Sequence, residues 1–274
     1  MGIQDRRRLG AYLRRLRENT VLTPDKAAAA LGWPALRVER LEAGLATVRR
    51  PDFRELLSLY GAGEEPPLGL LEGTRGWWTA YSDEIDVDHE TLLILEESAT
   101  RIRSYSAGLI PGLLQTRGYA AGLMSTRHDQ PWSRMEVLVE LRVERARVLR
   151  TGSLDMQAVI DEAALRRPVG VPVVMRRQYE HLISMARQPG VTILVRPLAA
   201  EYFSEARFTF HIFDLPTSSV TTESAVQLEE FDREHFEWSP AETVRYRSVY
   251  SRAERGALGQ DASIEFIAKL ASDV

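Results

Sequence analysis

Arg37 and Arg40 stand three residues apart, a spacing that places both side chains on neighbouring positions of a helix surface. A guanidinium presented from a helix can donate two parallel hydrogen bonds to guanine O6 and N7, so Arg37 is expected to read a base edge. Arg40 is expected nearer the sugar–phosphate backbone, or paired with Glu42 or a neighbouring carboxylate. Ala35, at the start of the same helix, joins them as a candidate contact. Thr23, Pro24 and Lys26 open a preceding helix. Pro24 has no side-chain amide to offer, so Thr23 and the backbone N–H groups of Asp25 and Lys26 are expected to meet phosphate instead, helped by the helix dipole. Arg14, Arg15, Arg49 and Arg50 are the remaining candidate phosphate contacts.

One other constellation could do chemistry. Asp161-Glu162 follows a strand pattern, and Arg166-Arg167 lies one turn further on. Two carboxylates beside two arginines could serve acid–base catalysis. The plainer reading is a structural corner, with the carboxylates at a helix N-terminus and the arginines bridging to the body. No catalytic residue is assigned, and an enzyme using Asp161 and Glu162 is kept as the lesser alternative. There is no Cys, which excludes disulfides, Cys-based metal sites and thiol nucleophiles. His89, His128, His181, His211 and His235 include no pair at i, i+3 or i, i+4, so no metal site is expected. Gly61 and Gly63 lack a preceding strand and a third glycine, so no phosphate-cradling loop is present and no cofactor is expected.

Charge locates the first group of residues. The 274-residue chain carries a net charge of −4, but residues 1–60 hold 12 Lys+Arg against 7 Asp+Glu. A basic end on an acidic body points to a polyanionic partner. The opening residues contain no apolar stretch of the secretory kind, and no run approaches the ~18 residues of a membrane span, so a cytoplasmic protein without membrane contact is expected.

The elements that must position these residues are legible from periodicity. Leu9, Leu13 and Leu16 form an apolar stripe over 6–19, with Arg14, Arg15 and Arg17 off it. Thr23-Pro24 caps a second helix through Ala27 to Ala30, stopped by Gly32. Trp33-Pro34 restarts the chain as a third helix to Glu42, stopped by Gly44. A fourth starts at Pro51. Two short helices joined through a glycine turn have the spacing of a helix-turn-helix, and the Ala face permits the close crossing that pushes the third helix outward. Residues 61–76 are dense in Gly and Pro. The expected layout is a helical domain over 1–63, a linker over 64–76, and a second domain over 77–274. Trp77, Trp78 and Tyr81 are expected to anchor one domain on the other.

In the second domain, helices are expected over 89–104, with a Glu97–Arg101 pair, over 132–150 and over 172–188. Strands are expected over 153–160, 191–195, 208–213 and 219–223, and helices from Ser239 and Asp261. The first two strands flank a helix and can pair in parallel. Glu229 to Glu234 reads as a solvated loop. The fold class is an N-terminal all-α helix-turn-helix domain followed by an α+β domain, a small mixed sheet framed by helices.

Leu22-Thr23-Pro24, Ala28, Leu31-Gly32-Trp33 and Val38-Glu39-Arg40-Leu41-Glu42-Ala43-Gly44 resemble the XRE-type, phage-repressor-like helix-turn-helix. Pro24 stands where that family usually carries Gln, and Pro34 where it carries a small polar residue. Ser104 to Thr116, Asp161 to Gly170 and Pro189 to Ile193 resemble the domain that follows the helix-turn-helix in WhiJ-like regulators of actinobacteria. That resemblance implies transcriptional regulation, an antitoxin-like role, a small protein partner encoded by a neighbouring gene, and no established catalysis.

A sequence-specific regulator bound to double-stranded operator DNA is therefore expected. It is expected to be a homodimer, because two half-sites double the readout of one helix-turn-helix. The second domain is expected to supply the dimer contact and the partner or effector site. Tyr105, Gln115 and Thr116, with Asp161, Arg166 and Arg167, are the candidates, because each group ends a regular element where binding loops are held rigidly. The rival reading is a protein-interaction module with secondary DNA binding.

Overall fold

The structure, a computed structural model, describes residues 3–34, 36–62, 76–81, 83–126, 131–150, 152, 154–216, 224–229, 234–237 and 239–274. The chain divides into two compact units, Met1–Ser98 and Ala99–Val274. Residues 77–98, grouped by sequence with the second domain, cluster with the first unit. Apart from Gly76, the expected linker at 64–76 lies outside the described residues.

In the first unit, α1 (Ile3–Glu18), α2 (Pro24–Ala30), α3 (Arg37–Glu42) and α4 (Arg50–Leu59) enclose a core. Leu9, Leu13, Ala27, Ala28, Val38, Leu41, Phe53, Leu56 and Leu57 are buried in it. Leu9 and Leu13 of the stripe read from sequence are among them, and Leu16 packs partly buried against the cluster. Gly10 marks where α1 and α3 cross: a Cβ there would lie 2.4 Å from the Glu42 carbonyl oxygen. A 3-10 turn (Trp77–Tyr81) and α5 (Val87–Ser98) follow. Trp78 is buried; its Nε1 stands 3.4 Å from Glu90 Oε1, and the Arg6 guanidinium lies 5.3 Å over its ring.

In the second unit, a six-stranded mixed sheet has the order β3-β2-β1-β4-β5-β6. The strands are β1 (Arg101–Ser106), β2 (Asp155–Asp161), β3 (Val191–Arg196), β4 (Phe210–Asp214), β5 (Ser224–Glu229) and β6 (Glu234–Glu237). β1, β2 and β3 run parallel, and β4, β5 and β6 continue antiparallel. Between β1 and β2 lie a 3-10 turn (Gly112–Leu114), α6 (Arg117–Met124), α7 (Trp132–Arg145) and a 3-10 turn (Ala146–Arg150). Between β2 and β3 lie α8 (Glu162–Arg166) and α9 (Pro172–Ala186). Tyr105, Val159, Phe210, Ile212 and Val226 line one sheet face against Val249, Tyr250 and Ala253 of α10 (Pro240–Arg255). α11 (Gln260–Ser272) packs on α9 and β3.

Three sequence expectations are corrected. The helix expected over 89–104 ends at Ser98, and Arg101–Ser106 is the strand between β2 and β4. Its backbone groups bond to strands some 50 and 110 positions away, and those ladders override the local leucine spacing. The Glu97–Arg101 pair is accordingly absent: Arg6 Nη2 reaches Glu97 Oε2 at 3.3 Å, and Arg101 Nε reaches Asp155 Oδ2 at 2.6 Å. The third helix starts at Arg37 rather than Trp33, because Leu36 precedes it with φ +68°. A non-glycine residue in that region costs about 1–2 kcal/mol. Glu229 and Glu234, the ends of the expected solvated loop, belong to strands β5 and β6, where they pair antiparallel; residues 230–233 lie outside the described residues. The strand expected over 219–223 lies outside the described residues.

Candidate functional site

The turn between α2 and α3 is built locally. Thr23 Oγ1 accepts the Lys26 N–H at 3.3 Å, capping α2 as its sequence demands. Gly32 takes φ +66°, which lets Gly32 N–H donate to Ala29 O at 3.1 Å and Trp33 N–H to Ala28 O at 2.9 Å. That pair of hydrogen bonds is the helix stop a left-handed glycine makes possible. Ala27 and Ala28 are fully enclosed in the core, as the expected close crossing requires.

A buried ion pair pins this arrangement to α1. Arg17 Nε and Nη2 donate to the two carboxylate oxygens of Glu42 at 2.6 and 2.8 Å, and Nη1 donates to Leu22 O at 3.0 Å. The two side chains are 10% and 7% exposed. Glu42 hydrogen-bonding to the guanidinium raises the Arg17 pKa. The Tyr60 hydroxyl is pushed up to about 12, by burial first and by the Glu42 charge second. Arg17, off the apolar stripe of α1, thus takes Glu42, the carboxylate that the sequence also offers to Arg40.

On α3, Arg37 is engaged within the unit, and Arg40 takes a carboxylate partner, one of the alternatives expected for it. Arg37 Nη2 donates to Asp52 Oδ2 at 2.5 Å, its guanidinium lies 4.2 Å over the Trp33 ring, and the side chain is 17% exposed. Arg40 donates to Asp88. The exposed positions of the helix and its two caps are Leu36, Glu39 and Ala43. Ala35 lies outside the described residues. Exposed cations flank the motif: Lys26 on α2, Arg14 and Arg15 on α1, and Arg49 and Arg50 at the start of α4. Arg14 pairs with Glu18 at 2.9 Å, and Arg49 stands 3.7 Å from Asp52.

The second-unit candidates gather at the carboxyl ends of the parallel strands, where α/β sheets commonly bind ligands. Here most of the polar groups are engaged by other groups of the unit. Asp161 Oδ1 accepts Ala163 N–H at 3.0 Å, and Oδ2 stands 3.4 Å from Tyr105 Oη and 3.8 Å from Arg196 Nη1. Tyr105 is buried and donates to Ala206 O at 2.9 Å; burial pushes its pKa up. Gln115 Nε2 donates to Ile110 O at 2.7 Å, and its Oε1 accepts from Arg142 at 2.9 Å. Thr116 caps α6, accepting Tyr119 N–H at 3.3 Å, and its own N–H donates to Gln178 Oε1 at 2.7 Å. Arg166 and Arg167 are exposed.

Glu162 accepts from Arg166 Nε at 2.5 Å and from Leu198 N–H at 2.9 Å. Burial works against its charge, but those bonds outweigh it and the pKa is lowered. A lowered folded pKa contributes stability above the ordinary carboxylate range, and that stability is lost as pH falls through the folded value. Glu162→Gln is expected to cost about 1.5–3 kcal/mol at neutral pH, the range for hydrogen bonds to a charged group. The cost should shrink as the pH is lowered. Melting curves of both proteins from neutral pH down through the carboxylate range check this; a cost that stays constant with pH refutes it.

Sequence reading also missed a polar group on the opposite sheet face. His211 Nε2 stands 3.5 Å from Glu229 Oε1, and Gln227 donates to Glu234. Burial pushes the Glu234 carboxyl up; it opposes the Glu229 charge too, but there His211, Arg142 and Arg145 hold the pKa down. No sequence signal joins these residues, because only strand register aligns them. Among the described residues, no group of three His, Asp or Glu could hold a metal, and no helix is long and apolar enough to cross a membrane.

Residues 8–67 match the family described as "Helix-turn-helix domain", which agrees with the α2–turn–α3 geometry and places those residues in a DNA-binding class of domain. Residues 89–269 match the family described as "Domain of unknown function (DUF5753)". The chain belongs to the DUF5753 family. No curated protein and no solved structure matches it significantly.

Proposed function

We propose that the chain is a sequence-specific, cytoplasmic transcription regulator of the XRE type that binds operator DNA as a homodimer. The observation that carries this reading is the α2–turn–α3 unit, with its Gly32 stop and Ala27–Ala28 crossing pinned to α1 by Arg17–Glu42. The flanking cations suit phosphate, which carries no sequence information but fixes register. The second domain is assigned the dimer contact and a site for a small protein partner or effector, in keeping with an antitoxin-like role. The accessible part of that site is Arg166 and Arg167. No catalysis is assigned to Asp161 and Glu162, since their oxygens are engaged by Ala163, Leu198 and Arg166.

Selection of bound duplexes from a random pool, with the full chain, tests the reading: a recurring sequence is expected. With that duplex, Lys26→Gln, Arg49→Gln and Arg50→Gln should each lower the slope of log K against log salt by about 0.9, one phosphate contact. Each should do so on every duplex sequence alike. Unchanged slopes in all three would remove these residues from the interface.

A further inference from the structure

Leu36, at the entry to α3, combines two unfavourable features. It is 49% exposed, and it is the one non-glycine residue with positive φ among the described residues. It is also no part of the apolar core of its unit. Strain held at an exposed residue of a binding element is a pointer to function. Arg37 and Arg40, which could have presented positive charge from α3, are engaged by Asp52 and Asp88 instead. The outward residues are Leu36, Glu39 three positions on, and Ala43 at the far cap. An exposed carboxylate repels phosphate, so this face suits base edges rather than backbone. A carboxylate can accept from a base amine, and the thymine 5-methyl is the apolar group of the major groove.

We infer that Leu36 is the specificity residue of α3 and that it reads the 5-methyl group of a thymine. The inference rests on the DNA-binding reading above. Leu36 against the methyl removes both from water, which repays holding leucine in the left-handed region. Asparagine tolerates that backbone region and glycine adopts it freely, so both can replace Leu36 without a new backbone conformation.

The test uses the full chain and the selected duplex at one salt concentration, with each thymine replaced singly by deoxyuridine, which lacks only the methyl group. One thymine per half-site is expected to weaken wild-type binding about fourfold on replacement, the effect of one buried methyl. Leu36→Asn and Leu36→Gly, confirmed folded by their melting curves, are expected to bind the unmodified duplex at least as much more weakly. They should be indifferent to deoxyuridine at that position. If no replacement affects the wild type, or if both variants remain as sensitive as the wild type, the assignment is overturned while DNA binding stands. If selection yields no recurring sequence, the DNA-binding reading and this assignment fail together. Variants with unchanged DNA binding but weakened self-association would make Leu36 a protein contact, which also overturns it.

Discussion

Glu42→Ala is expected to lower the stability of the first unit by about 3–5 kcal/mol, the cost of removing one partner from a buried ion pair. Arg17 would keep a guanidinium with 10% side-chain exposure, its bond to Leu22 O, and no carboxylate. The loss should appear as faster amide exchange throughout α1, α2, α3 and α4 in the full chain, while the six-stranded sheet keeps its protection. DNA binding should fall with it, because the same pair ties α3 to α1. Arg17→Met combined with Glu42→Leu separates burial from pairing. It leaves no buried charge, so it should recover most of the lost stability. A Glu42→Ala protein within about 1 kcal/mol of wild type would place this pair among ordinary surface bridges.

In the second unit, Leu113→Ala should be the costly change and the arginine variants the cheap ones. Leu113 is 4% exposed in the turn after β1, and truncating a buried leucine costs about 2–5 kcal/mol. Arg166 has a side chain that is 53% exposed. Its pair with Glu162 is a partly exposed bridge, for which about 0–1 kcal/mol is usual, and Glu162 keeps the Leu198 N–H. Arg167→Ala should stay within about 0.5 kcal/mol, as exposed positions do. Thermal melting and sedimentation of Leu113→Ala, Arg166→Ala and Arg167→Ala side by side decide the role of this corner. Arginine variants that melt normally but associate more weakly would support a docking surface. Early melting with unchanged association would leave both arginines as architecture.

Residues 20–45 show why the first unit was so readable. Thr23 as cap, Pro24 in the first turn, the alanine run and Gly32 as stop act on backbone groups within a few positions of themselves. Their geometry is therefore set by local sterics and local hydrogen bonds. The parallel pairing of β2 and β3 was legible for a related reason, since a strand, a helix and a strand in succession leave few arrangements. Residues 101–106 show the opposite case. Ile102 continues the spacing of Leu92, Leu95 and Ala99, so the local pattern favours helix, yet the ladders to 155–160 and 210–214 prevail.

The candidate site divides along the same line. Residue types, charge and spacing alone determined that the chain opens with a helix-turn-helix and that its second domain mixes strands with helices. They determined too where capping and turning residues fall, because each of those features depends on neighbours in sequence. Tertiary structure alone decided which arginines reach outward. Arg17 finds Glu42 at a separation of 25 residues, Arg37 finds Asp52 at 15 and Arg40 finds Asp88 at 48. A guanidinium bonds whichever carboxylate the packing brings within about 3 Å, and that distance is fixed by how helices cross rather than by spacing along the chain. Leu36 is the counterpart: its type says core, and only the left-handed backbone at the entry to α3, with Trp33 and Arg37 packed together beside it in sequence, turns it to solvent.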